Sequence, residues 1–211
     1  LLDQAFLDRG CWDLEAGQIG GAVAAVEEVA RLADEIGTAE VAAHREILRG
    51  HIARSLGESA EALERFATAR RLLLGAGAGD QVVDLDLQVA DLRAAEGDLV
   101  TARALLNGVV TPLRGRGDRL ALLLGEAQLA RLDVREADFA GATRRLERLW
   151  AAGEKSPVVK LRIALLGARA ELAVAEGRPD DARRDLETAR RLAEEAGRKA
   201  TALARRLDLA A

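Results

Sequence analysis

The chain has 211 residues, 49% apolar and 31% charged, with 35 acidic against 31 basic side chains and a formal net charge of −4. That composition suits an ordinary soluble folded protein with room for a sizeable core. It excludes a membrane-spanning helix, because no long apolar run exists; a disulfide framework, because there is one cysteine; and a dedicated nucleic-acid binder, because there is no basic excess.

Ala, Leu, Arg and Glu crowd the chain, whereas aromatics make up 2% and there are only 3 Pro. This mixture favours helix almost everywhere. The sequence opens on LLDQAFLDRG, with no Met anywhere and no signal-peptide pattern, so a piece of a longer, cytoplasmic protein is expected. Lys occurs only at Lys155, Lys160 and Lys199, and the strong bias to Arg suggests a GC-rich bacterial source.

Read in order, the chain repeats itself. A Gly-acidic step stands in SLGESAEALERFATARRL and returns in AEGDLVTARALLNGVV, READFAGATRRLERLW and AEGRPDDARRDLETARRL, with a weaker copy upstream in EAGQIGGAVAAVEEVARL. The anchors are Gly17, Gly57, Gly97, Ala137 and Gly177, 40 residues apart each time. Five residues after each anchor stands Ala22, Ala62, Ala102, Ala142 or Ala182, and four further on a large apolar residue: Val26, Phe66, Leu106, Leu146 or Leu186. Seven before the anchor the residue is always small, at Gly10, Gly50, Ala90, Ala130 and Ala170. Twenty after it come Gly37, Gly77, Gly117, Pro157 and Gly197. Five columns held in register over this length establish a true internal repeat.

Each column has a physical reason. Leu161, Leu165, Ala168 and Leu172 have helical spacing before an anchor, and Ala62, Phe66, Ala69 and Leu72 have it after one. The anchor closes the first helix, where a residue tolerant of positive φ ends the last turn cheaply, and the Gly twenty positions later closes the second. At the fourth junction Ser156-Pro157 reads as an N-cap followed by Pro at the first helical position, and Pro179 reads as another helix start. The small columns mark where two helices touch closely. Five hairpins result, over approximately 1–37, 38–77, 78–117, 118–157 and 158–197, with a closing helix over 198–210 carrying Leu203 and Leu207. Eleven helices are expected, in a single repeat domain spanning 1–211.

Small residue, Gly-acidic step, Ala, large apolar residue: this pattern resembles the tetratricopeptide (TPR) repeat. Its 40-residue spacing, with Gly after the second helix as in RRLAEEAGRKATAL, resembles the TPR arrays of bacterial regulators of the maltose-activator type, which often follow a nucleotide-switching ATPase module. The resemblance covers essentially the whole chain and implies an all-α fold, an α-solenoid wound as a right-handed superhelix. Two departures stand out: the consensus aromatics are mostly Ala or Leu here, and the first repeat is degenerate around Gly20-Gly21.

Chemistry is sparse. There is no P-loop and no His-Glu-x-x-His zinc motif. His44 and His51 share a helix face but lie about 10.5 Å apart along it, too far to share a metal. Cys11 and His51 occupy the same repeat position, yet neighbouring first helices at about 8–10 Å cannot form a nucleophile–base dyad. The pairs Arg70-Arg71, Arg144-Arg145, Arg183-Arg184, Arg190-Arg191 and Arg205-Arg206 are interleaved with acids and read as solvated helix faces. Trp12 and Trp150 read as packing residues. No enzyme activity, cofactor or metal is expected.

The resemblance implies that first helices line a concave groove. One row of groove positions then reads Cys11, His51, Asp91, Arg131 and Glu171, polar and mixed in sign. A second reads Leu7, Ile47, Leu87, Ala127 and Gly167, and His44 adds polarity on the same helix. Such a surface suits an amphipathic helix or an extended peptide, with charges setting register and apolar contacts supplying energy. The clamp that some family members use for a C-terminal carboxylate is missing, since Ile47 and His51 stand where Lys and Asn would be. The expected role is therefore a non-enzymatic interaction module, the sensor or scaffold arm of a bacterial regulator. The alternatives are the regulatory region of a multidomain protease, cyclase or kinase, or a free-standing assembly adaptor. Its partner is a protein segment or other domains of its own chain, not nucleic acid or membrane. Self-association is expected through the apolar N-terminal face at Leu1, Leu2, Ala5 and Phe6.

Overall fold

Eight helices and no strand make up the described part of the chain. The computed structural model describes residue 31 and residues 37–115 and 119–208, with side chains described as far as 197. The first hairpin, with Leu7, Cys11, Trp12 and the N-terminal apolar face, lies outside the described residues, as does Gly117. The helices are α1 (Ala39–Ser55), α2 (Ser59–Gly75), α3 (Gly79–Ala95), α4 (Leu99–Leu113), α5 (Arg119–Arg135), α6 (Phe139–Gly153), α7 (Val159–Ala175) and α8 (Pro179–Asp208). Paired in order they are the four hairpins expected after residue 37, and the fold is all-α and TPR-like.

The anchor column works as its chemistry requires. Gly57, Gly97 and Gly177 have φ of 82°, 85° and 75°, and Ala137, where the glycine is missing, is held at φ 64°. A Cβ at the three glycines would meet nothing within 4 Å, so the backbone angle alone dictates the residue there. The acidic residue beside the anchor has its own task. Asp98 and Asp138 are the N-caps of α4 and α6, their Oδ1 atoms accepting from Thr101 N at 3.1 Å and Gly141 N at 2.9 Å. One tripeptide thus ends a helix and begins the next.

Packing divides the chain into two compact units, Leu1–Leu92 and Arg93–Ala211. In the first, Phe66 is fully buried at the centre of a cluster with Ala43, Ala62, Ala69, Leu73 and Leu85. Gly50 makes room for it: a Cβ there would stand 2.5 Å from the Phe66 ring. In the second unit the same columns build a core from Ala130, Ala142, Leu146, Ala168 and Leu172, so Leu146 of one hairpin seats against the first helix of the next. The invariant Ala62, Ala102 and Ala142 have no exposed surface at all.

Two junctions differ from expectation. Ser156 is not an N-cap: its Oγ accepts from Val158 N at 3.2 Å, and α7 starts only at Val159 with no side-chain cap. Pro157 accordingly stands two residues before the helix, whereas Pro179 does open α8. The break expected at Gly197 is absent. The second helix of the last hairpin and the closing helix are one element of 30 residues. With no further first helix seated beside it, Leu186 is 53% exposed, although its counterparts Phe66, Leu106 and Leu146 are buried.

These columns make two predictions. Ala62→Leu and Ala102→Leu should each destabilise by about 1–3 kcal/mol, because three added carbons at a close helix contact force strain. Ala67→Leu, on the exposed face of α2, should change the melting temperature little. Ala137→Gly should stabilise by roughly 0.5–1 kcal/mol, since it relieves a left-handed conformation that costs a Cβ-bearing residue about 1–2 kcal/mol but also frees the unfolded chain. Thermal unfolding followed by circular dichroism checks both, and unchanged or lowered stability of Ala137→Gly would contradict the second.

Candidate protein-binding surface

The first helices α1, α3, α5 and α7 carry the residues expected to line a groove, and each unit has its own set. On α1 of the first unit, His44 is buried and its Nε2 donates to Gln81 Oε1 of α3 at 2.7 Å. His51, two turns further along, lays its ring edge-on against Phe66, with centroids 5.4 Å apart and planes at 71°. Asp91 on α3 faces Arg54 on α1 at 3.9 Å. The pairs His44–Gln81 and Arg54–Asp91 are both 37 residues apart, the offset at which neighbouring first helices meet. Ile47 is half-buried and packs against the core, and Leu87 is buried. The polar positions therefore offer most of the accessible chemistry on this face.

In the second unit Arg131 on α5 and Glu171 on α7 form a two-point ion pair, Nε to Oε1 at 2.7 Å and Nη2 to Oε1 at 2.6 Å. They are one repeat period apart, and each side chain remains about a third exposed (31% and 32%). Ala127 is buried, and Gly167, with no atom within 4 Å of where its Cβ would be, leaves a bare stretch of α7. The second row thus contributes flatness rather than large apolar side chains.

Sequence reasoning missed the buried ion-pair networks behind these faces. Glu46 is buried on α1 and takes Arg65 of α2 at 3.2 Å and Arg49 at 3.1 Å. Eighty residues on, Glu126 and Arg145 repeat the pair between α5 and α6. Arg145 also reaches the buried Asp133 at 2.9 Å, which accepts from Arg103 of α4 at 2.8 Å, and Arg114 reaches Glu126 at 2.8 Å. Arg145 is therefore an interior residue and not part of a solvated face, a correction to the reading of the Arg-Arg pairs. Arg70 likewise leaves its own helix, forking onto Asp86 of α3 at 2.7 and 3.1 Å. The available signal was the recurrence of Glu and Arg nineteen residues apart in equivalent columns. Trp150 is a packing residue with a polar neighbour: the Arg169 guanidinium lies 3.9 Å over its ring and also reaches Asp185 at 3.2 Å.

Burial would raise the Glu126 carboxyl, but the hydrogen bonds and charges of Arg114 and Arg145 outweigh it and hold the group below its ordinary value. For Asp185 burial wins over Arg169 and pushes the carboxyl up. Among the described residues no group of three or more His, Cys, Asp or Glu side chains is placed to hold a metal, and no helix is long and apolar enough to cross a membrane.

A depressed carboxylate contributes stability that is present above its unfolded pKa, about 4.3, and is lost as pH falls through the folded value. Glu126→Gln should therefore cost roughly 1–3 kcal/mol at neutral pH by leaving Arg145 short of a partner. The gap between variant and wild type should narrow as pH falls through the carboxylate range. Melting temperatures measured from pH 7 down to pH 3 check this, and a gap independent of pH would refute it.

Three solved structures place the fold among known proteins. A kinesin light chain protein with nearly identical TPR-like repeats from Podosopora anserina matches at a TM-score of 0.58 with 18% identity, over 92% of this chain and 95% of its own. A point variant of that protein matches at 0.58 with 19% identity, over 92% and 96%. BtubC (BKLC) from P. vanneervenii matches at 0.56 with 13% identity, over 93% and 92%. No protein-family model and no curated protein matches the chain. At these identities the likeness is one of fold: the chain has the architecture of TPR-like repeat proteins.

Proposed function

We propose that this array is a non-enzymatic scaffold for protein–protein interaction, receiving a protein segment along its first helices. The observation that carries the reading is the part-exposed polar row at His51, Asp91, Arg131 and Glu171, set at one repeat position over a buried, repeat-built core. Its charges already satisfy one another, so an incoming segment must offer replacement partners in the right order. That demand gives selectivity more than raw affinity. Buried Leu87 and half-buried Ile47 supply a firm floor, which suits an extended chain or a flat helix face better than deep side-chain anchors. Within this reading the array is the sensor or scaffold arm of a larger bacterial regulator working in the cytoplasm. The regulatory region of a multidomain enzyme is the second candidate, and both descend from the same periodic surface.

Site-specific photo-crosslinking in the source cell tests the proposal. A crosslinker placed at His51, Asp91 or Arg131 should give a discrete protein adduct, and one at Arg71 or Arg148 on second helices should not. Reversing both charges, Asp91→Lys with Arg131→Glu, should abolish the adduct formed at His51 while costing at most about 1 kcal/mol of stability, because the pairs are partly exposed. Adduct formation only from the second helices would move the site to the opposite face. Mass spectrometry of the adduct separates the two versions: peptides of the same chain indicate intramolecular docking, foreign peptides a separate partner.

A further inference from the structure

The last hairpin of the second unit carries a surface that the groove reading does not use. Helix α8 has 30 residues and its hairpin partner α7 has 17, so α8 overhangs α7 by about 20 Å. Beside its N-terminal half runs a groove floored by Val174, Ala182 and Leu186 and edged by Arg183, Glu187 and Arg190. Val174 is 62% and Leu186 53% exposed. In the preceding hairpin the same columns, Val134 and Leu146, are covered by α7 through Ala168 and Leu172. The groove is a seat shaped for one more helix.

The sequence of α8 supplies a helix that fits such a seat. Apolar residues recur at alternating steps of three and four from Ala182 and Leu186 without a miss to Leu203, Leu207 and Ala210. That is the spacing of a seam between paired helices. Its end section, Leu203, Leu207 and Ala210, has the four-then-three spacing of Leu161, Leu165 and Ala168, which cover the previous hairpin. Yet this section cannot reach its own seat, since a straight helix holds Leu203 about 25 Å from Leu186 of the same chain. Charge fixes the orientation. Residues 179–197 hold six acids and four bases, and residues 198–208 hold four bases and one acid. Antiparallel pairing lays the basic half of one helix on the acidic half of the other, and parallel pairing would set like halves together.

We infer that the seat at Val174, Ala182 and Leu186 receives the C-terminal half of α8 from a second copy of this chain. The two copies are related by a two-fold axis and exchange their overhangs. Such an isologous contact closes on itself and leaves no further apolar face of this kind to extend.

Sedimentation of the 211-residue chain over a range of concentrations, with helicity followed by circular dichroism, tests the inference. The wild type should be a dimer. Leu186→Arg, a half-exposed position that folding does not need, and Leu203→Glu, in the overhang, should each weaken self-association by at least about tenfold with helicity retained. In a Cys11→Ser background, a mixture of Leu186→Cys and Leu203→Cys copies should form an intermolecular disulfide on oxidation that neither variant forms alone. A wild type that stays monomeric at high concentration overturns the inference. So does a dimer indifferent to Leu186→Arg, or one in which Leu203→Cys crosslinks to itself.

Discussion

The distance of closest approach between paired helices governs this fold. Wherever two axes meet, one side must be nearly bare: Gly50 opposite Phe66, Ala130 and Ala142 beside Leu146, Ala170 and Ala173 beside Ala182. A side chain larger than a methyl group at those points would separate the axes and open the interior that the large column fills. The 40-residue period derives from this constraint. Each small residue must return to the same height on its helix, so an insertion of even one residue between columns would rotate every later contact off its seat.

Ion pairs are laid on the same lattice. Glu46 with Arg65 and Glu126 with Arg145 join the two helices of a hairpin, whereas Arg131 with Glu171 and Arg54 with Asp91 join successive first helices. The buried ones add little net stability, because removing two charges from water cancels much of their attraction. Their effect is on register: a slip of one residue would leave a buried Arg or carboxylate alone, at a cost of several kcal/mol. The part-exposed ones define the binding row. A row of paired charges is soluble and quiet until a ligand offers better partners, which is how a polar face can be selective without being sticky.

Most of the architecture was legible because the columns are backbone requirements. Positive φ at Gly57, Gly97 and Gly177, the cap at Asp98 and the bare contact at Ala62 each restrict the residue type directly, so they survive as pattern. Even Ala137 is placed correctly by register alone, where its chemistry argues against it. What pattern did not reveal was which polar residues turn inward. Arg145 and Arg144 are neighbours of identical chemistry, yet Arg145 enters a carboxylate cluster whose members stand 12 and 19 residues away. The row at Leu87 and Ala127 shows the same limit: helical spacing places them beside the groove, but packing between adjacent helices decides that they are buried.

Gly197 makes the balance between local and tertiary preference explicit. In the equivalent column Gly37 and Gly77 take φ of 65° and 73° and end their helices, yet Gly197 stays helical. The residues on the C-terminal side of each glycine account for the difference. Gly37 precedes Thr38, whose hydroxyl accepts from Val41 N and starts α1, and Gly77 precedes Ala78-Gly79, a second weak point. Gly197 instead precedes Arg198, Lys199 and Ala200, strong helix formers with no capping residue, and stands after Glu194, Glu195 and Ala196. A lone glycine costs a helix interior about 1 kcal/mol, less than the flanking residues and the four bases near the negative end of the helix dipole return. A glycine therefore stops a helix here only when the next residue offers a new start, and the stretch after Gly197 offers continuation instead.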